Sequence, residues 1–120
     1  MNTISHLLVS TPAAIQTTAV LAREIWTQHY TPIIGSEQVE YMLQKFQNEQ
    51  AIKHQLAEGY EYTLWHLKSA VGYLCLKPEG DALFISKIYV QAAQRGQGIG
   101  KTMMHYAQQK ASILQLKNLR

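Results

Sequence analysis

Between Gln94 and Thr102 the chain reads QRGQGIGKT, with glycines at alternate positions between Arg95 and Lys101. Glycine lets the backbone adopt positive φ and approach a ligand closely. The first amides of a helix carry unpaired N–H groups and a partial positive charge. A glycine-rich turn opening into a helix therefore suits an anion, above all a phosphate. Which phosphate is decided by spacing. A Walker A loop places a glycine five positions before the glycine of its Gly-Lys-Thr ending. Here that position is Arg95. A dinucleotide fingerprint reads G-x-G-x-x-G after an early strand of a parallel sheet, whereas this loop reads G-x-G-x-G. An NTP site and a dinucleotide site are both disfavoured.

The remaining reactive residue types offer less. His6, His29, His54, His66 and His105 show no ligand-like spacing, so no metal site is expected. Cys75 is the single cysteine. It falls in an apolar run and is expected as a buried strand thiol, which suits a reducing, cytoplasmic setting. Glu79 and Asp81 sit in a turn pattern and read as solvated.

The elements that must position the loop follow from periodicity. Thr3–Ser10 reads as a first strand. Thr11-Pro12 is a helix start, and Ile15, Ala19, Ala22 and Trp26 carry that helix to about Tyr30, with Pro32 and Gly35 ending it. Ser36 is the expected cap of a second helix bearing Val39, Met42, Leu43 and Phe46. A further helical stretch with Ile52 and Leu56 runs to Gly59. The period then alternates: Tyr60–Leu67, Ala70–Lys77 and Ala82–Val90 read as three strands joined by short turns, an antiparallel meander. After the glycine loop, Ile99, Met103, Ala107, Ala111 and Leu114 mark a last helix. The expected order is β-α-α-β-β-β-α, an α/β single domain over residues 1–120 with a mixed, mostly antiparallel sheet.

Composition agrees with a globular domain: 47% of residues are apolar and 16% charged, with a net charge of +3. That charge suits a small anionic ligand. It is too dispersed for nucleic acid. No apolar run reaches the ~20 residues that cross a bilayer, and the N-terminus lacks the basic leader of a signal peptide.

Arg95-Gly96-Gln97-Gly98-Ile99-Gly100 matches the pattern Q/R-x-x-G-x-G/A, and KIYVQAAQRGQGIGKTMM resembles the acetyl-coenzyme A signature of the GNAT superfamily of N-acetyltransferases. The element order resembles that fold as well. The resemblance implies acetyl-coenzyme A as cosubstrate, with Arg95, Gly96, Gln97, Gly98, Ile99, Gly100 and Lys101 contacting its pyrophosphate, mostly through backbone. It implies that Ile88, Tyr89 and Val90 pair with the pantetheine arm and that the Val90 amide faces the thioester carbonyl as oxyanion donor. The implied reaction is direct attack by a primary amine of a small molecule or peptide. His29 and Tyr30, at the expected end of the first helix, border the implied acceptor site.

Two departures accompany the resemblance. Many relatives carry a glutamate as general base four residues before the terminal valine of the fourth strand, and here that position is Ser86, followed by Lys87. Relatives also continue past the last helix with further strands, which supply a tyrosine as general acid; here the sequence ends LQLKNLR. The role of acid is not transferred to Tyr106, which reads as a packed helix residue. The expectation is a fourth strand with an exposed edge, in a piece of a longer acetyltransferase or in a chain whose sheet a second copy completes as a homodimer. A non-catalytic acyl-coenzyme A-binding module, or an inactive fragment, is the alternative.

Overall fold

A computed structural model describes residues 3–120. Strand β1 is Ser5–Leu8, and Thr11 opens helix α1 (Pro12–Ile34) by accepting from the Ala14 amide at 3.1 Å, with Pro12 in the first turn. The helix runs past the expected stop near Tyr30 and carries Pro32 inside it. A proline in the last turn removes one backbone bond, to Gln28, and Gln28 is exposed. Gly35, at φ 85°, ends the helix by donating to the Thr31 carbonyl at 2.9 Å.

Helix α2 spans Ser36–Phe46. Gly35 holds its cap position and Ser36 makes no capping bond, contrary to expectation. Asn48 instead caps a separate helix α3 (Glu49–Ala57), accepting from the Ala51 amide at 2.8 Å.

Strands β2 (Glu61–His66), β3 (Ala70–Glu79) and β4 (Ala82–Val90) form the expected meander, and β1 adds antiparallel to β2. Helix α4 is Ile99–Ile113. Where the sequence pattern stops at that helix, the structure adds β5 (Asn118–Leu119), parallel to β4 beside Ala82 and Leu83. Two residues are too few to show an alternating period, so this strand leaves no mark in the sequence. The expected bare edge of β4 is thereby covered in its first part, and the sheet order is β1-β2-β3-β4-β5.

Two cores flank the sheet. Ile15, Ala22, Ile25 and Trp26 of α1, with Val39, Leu43 and Ile52, pack on Tyr62, Leu64, Tyr73 and Cys75. On the other face Ile99, Met103, Ala107 and Ala111 of α4 pack on Trp65, Leu74, Leu76 and Leu83. Val71–Leu76 of β3 is buried throughout because helices cover both its faces.

Candidate functional site

The site begins with a fault in the pairing of β4. Cys75 faces Lys87 and the next residue of β3, Leu76, faces Ile85, so Ser86 is an extra residue without a partner. A bulge of this kind reverses the alternation of everything after it. Before the bulge, the Ile85 amide and the Leu83 carbonyl turn toward β5, bonding Arg120 at 2.7 and 2.9 Å. Beyond the strand's end, the Gln91 amide turns the other way, to the Val71 carbonyl at 2.8 Å. Two-residue alternation then directs the backbone groups of Ile88 and Val90 away from β3. Among the described residues no strand meets them there, because β5 reaches only the start of β4. The end of β4 is thus an open backbone edge.

A close approach holds that end in place. Val90 faces Gly72 across the sheet. A Cβ on Gly72 would stand 2.5 Å from the Tyr89 carbonyl oxygen and 3.0 Å from Met103 Cε. Only glycine lets β3, β4 and α4 meet this tightly.

The glycine loop follows through a short 3-10 turn, Ala92–Gln94. Gly96 and Gly98 have φ of 87° and 82°, a left-handed backbone that favours glycine. Gly98 stands at the cap position of α4. No side chain caps this helix, no acidic residue lies in its first turn, and the Thr102 hydroxyl donates back to the Gly98 carbonyl at 2.8 Å. The first amides of α4 therefore lack a side-chain acceptor. At Gly96, Gly98 and Gly100 a Cβ would meet nothing within 4 Å. The cleft beside these glycines is open.

These parts enclose one cleft of about 420 Å³, lined by Ile88, Tyr89, Val90, Arg95, Gly96, Gly98, Ile99, Gly100 and Lys101, all anticipated from the sequence. Gln94 also lines it and was not anticipated. Gln97 was anticipated but lies outside the lining; its amide donates to Gln94 Oε1 at 2.8 Å. Arg95 and Lys101 are the charged lining residues and no carboxylate joins them, so the cleft carries a positive field.

The two residues expected at the acceptor side separate. The Tyr30 and Tyr89 hydroxyls lie 3.1 Å apart, which ties α1 to the end of β4. His29 stacks edge-on against Tyr30 yet lines a different hollow of about 110 Å³ with Ile25, Gln28, Ala92 and Arg95.

Under α1–α3 runs a buried polar chain. Trp26 Nε1 donates to Tyr73 Oη at 2.9 Å, Tyr73 donates to Gln47 Oε1 at 2.6 Å, and Gln47 Nε2 donates to Tyr62 Oη at 3.0 Å. Tyr62 donates in turn to Gln55. Burial pushes both phenols well above the usual tyrosine range. It also pushes the Cys75 thiol up to about 11, so Cys75 is a neutral, enclosed thiol rather than a nucleophile. Lys87 Nζ closes the chain, 3.1 Å from Ser86 Oγ and 3.5 Å from Gln55 Oε1, and burial holds its ammonium below the usual lysine range.

Tyr106 does not line the cleft. It donates to Glu61 Oε2 at 2.8 Å, and Lys110 holds the other oxygen of that carboxylate at 2.9 Å. Among the described residues no three His, Cys, Asp or Glu side chains gather as a metal site, and no helix is long and apolar enough to cross a membrane.

Residues 20–119 match the family described as Acetyltransferase (GNAT) family. Among curated protein sequences none matches. Solved structures share the fold. A PaiA N-acetyltransferase from Thermoplasma acidophilum in complex with coenzyme A superposes with a TM-score of 0.84 at 16% identity, over 95% of this chain and 75% of that one. A GCN5-related N-acetyltransferase from Ralstonia eutropha JMP134 gives 0.74 at 14% identity, over 98% and 82%. A ribosomal-protein-alanine N-acetyltransferase from Brucella melitensis biovar Abortus 2308 gives 0.64 at 16% identity, over 98% and 77%.

Proposed function

The chain belongs to the acetyltransferase (GNAT) family, and from that premise we propose that it moves an acetyl group from acetyl-coenzyme A to a primary amine of a small molecule or peptide. One observation carries the reading: the open edge of β4 and the uncapped start of α4 share a single positively charged cleft. The first suits an amide-bearing arm, the second a pyrophosphate, and coenzyme A contains both.

In this reading Arg95 through Lys101 hold the pyrophosphate, chiefly through the amides of Gly98, Ile99, Gly100 and Lys101. The charges of Arg95 and Lys101 add to the helix dipole. Ile88, Tyr89 and Val90 receive the pantetheine arm as a neighbouring strand would be received. The outward Val90 amide donates to the thioester oxygen as charge develops there, a contribution on the order of 3 kcal/mol. The amine attacks directly, and Cys75 has no part in the transfer.

Titration calorimetry with coenzyme A tests the cradle, and release of free thiol from acetyl-coenzyme A with a panel of amines tests the transfer. Expected are a one-to-one binding isotherm and amine-dependent release. Equal binding of ATP would overturn the assignment of the cleft. A second reading, a non-catalytic acyl-coenzyme A-binding module, draws support from the absence of any carboxylate in the cleft lining and from Ser86 standing where a glutamate base would be. Tight coenzyme A binding without turnover would select it.

A further inference from the structure

Besides its pyrophosphate, coenzyme A carries a phosphate monoester on the 3′ position of its ribose. The cleft accounts for the pyrophosphate alone. We propose, resting on the acetyl-transfer reading above, that the hollow between α1 and the start of the glycine loop takes the 3′-phosphate, held by Arg95, His29 and Gln28, so that the protein selects coenzyme A over its dephosphorylated form.

Two cavities meet at Arg95. It lines the cleft of about 420 Å³ with Lys101 and the glycines, and it lines the hollow of about 110 Å³ with Ile25, Gln28, His29 and Ala92. Lys101 borders the cleft but not the hollow. A ligand whose pyrophosphate lies along residues 98–101 therefore has Arg95 between it and the hollow. In coenzyme A a single ribose ring separates the two phosphate positions. The hollow has the volume of about four water molecules in the liquid, which suits one phosphate group and is small for a nucleoside.

The polar side chains around the hollow can all donate. Arg95 presents a fork of N–H groups that matches phosphate oxygens in pairs. Gln28 offers an amide N–H, and His29 a ring N–H in either protonation state. Ile25, which is buried, and Ala92 supply the apolar part of the wall. Among the described residues no carboxylate pairs with Arg95: the ion pairs are Arg23 with Glu40, His54 with Glu58 and Lys110 with Glu61. Glu24 lies one turn before Gln28 on α1. It lines the adjacent hollow, not this one, and accepts from the Gln91 side-chain amide at 2.5 Å. An anion thus finds one fixed positive charge and two further donors, with no acid among them.

His29 is braced for this role. Its ring packs edge-on against Tyr30, with centroids 4.6 Å apart and planes at 82°. Tyr30 packs in turn against the buried Trp26 at 5.6 Å and meets the Tyr89 hydroxyl at 3.1 Å. A side chain already held against a fixed ring loses little freedom on binding, so more of its hydrogen bond appears as affinity. Tyr89 also lines the cleft, so this run of rings joins the wall of one cavity to the wall of the other.

The test is calorimetry with coenzyme A and with 3′-dephospho-coenzyme A, which keeps the pyrophosphate and the pantetheine arm. Coenzyme A should bind the wild-type protein about 10-fold or more tighter, the worth of one charged hydrogen bond. Arg95→Met should weaken coenzyme A more than the dephosphorylated form and close most of that gap. His29→Phe, which keeps a ring against Tyr30, and Gln28→Leu should each lower coenzyme A affinity about 3-fold or more and leave the dephosphorylated form unchanged. A displaced loop or a weakened fold would weaken both ligands alike, so the ratio of the two affinities reads the hollow alone. Equal wild-type affinities, or variants that weaken both ligands equally, would overturn the 3′-phosphate site and leave the cofactor reading standing. Binding of neither ligand would remove both.

Discussion

Gly72 and Val90 face each other across β3 and β4 with no room for a side chain on the glycine, whose Cβ would come within 3.4 Å of Val90 Cα. A methyl there must displace the Tyr89 carbonyl or the Val90 backbone. Gly72→Ala should therefore cost about 1–3 kcal/mol of stability, as overpacking does, and weaken coenzyme A binding as the end of β4 shifts. Denaturant melts and calorimetry on the same protein would show whether the two losses appear together.

Gly100 is the opposite case. It lies inside the first turn of α4, without a positive φ, and a side chain on it would enter open space at the cleft. Gly100→Leu should leave the fold intact, and helix propensity adds up to about 1 kcal/mol of stability. Coenzyme A affinity should fall at least 10-fold. A variant that melts higher yet binds as tightly would mean that the cradle lies elsewhere.

Tyr73 links two halves of the buried chain, receiving from Trp26 and donating to Gln47. Tyr73→Phe leaves the Trp26 indole N–H and a Gln47 lone pair enclosed without this partner. The expected loss is about 1–3 kcal/mol, read by urea unfolding. A neutral result would show that these groups find other partners.

Lys87 makes stability depend on pH with a definite sign. Burial lowers its folded pKa, so between that value and the ordinary lysine range the unfolded chain binds more protons than the folded one. Its penalty is full below the folded pKa and is relieved as pH rises through it toward the unfolded value. Lys87→Met should raise the melting temperature at pH 7, and that advantage should shrink as pH rises toward 10. An advantage constant across this range would mean that Lys87 titrates normally.

Most of the fold was legible because it rests on long periodic segments. Trp26 and its neighbours at helical spacing marked α1, and the alternation after Gly59 marked β2–β4. The glycine loop was legible because glycine has few substitutes where φ is positive, as at Gly96 and Gly98. What escaped was context-dependent. Pro32 is tolerated because it falls in an exposed last turn, and Ser36 makes no cap because Gly35, at positive φ, holds the cap position of α2 and Ser36 is already inside the helix. Gln94 joins the cleft through a 3-10 turn with no periodic signature. The extra residue at Ser86 leaves no trace in FISKIYV, since a bulge is a relation between two strands. It nevertheless decides which backbone groups of β4 face outward.

The half-covered edge of β4 has a consequence for handling the protein. The backbone groups that would receive the pantetheine arm are also the ones a strand from another molecule would seek. Ligand and neighbour compete for one seam, so occupancy should act as a solubilising agent: apo preparations should associate as concentration rises, and saturating coenzyme A should disperse them.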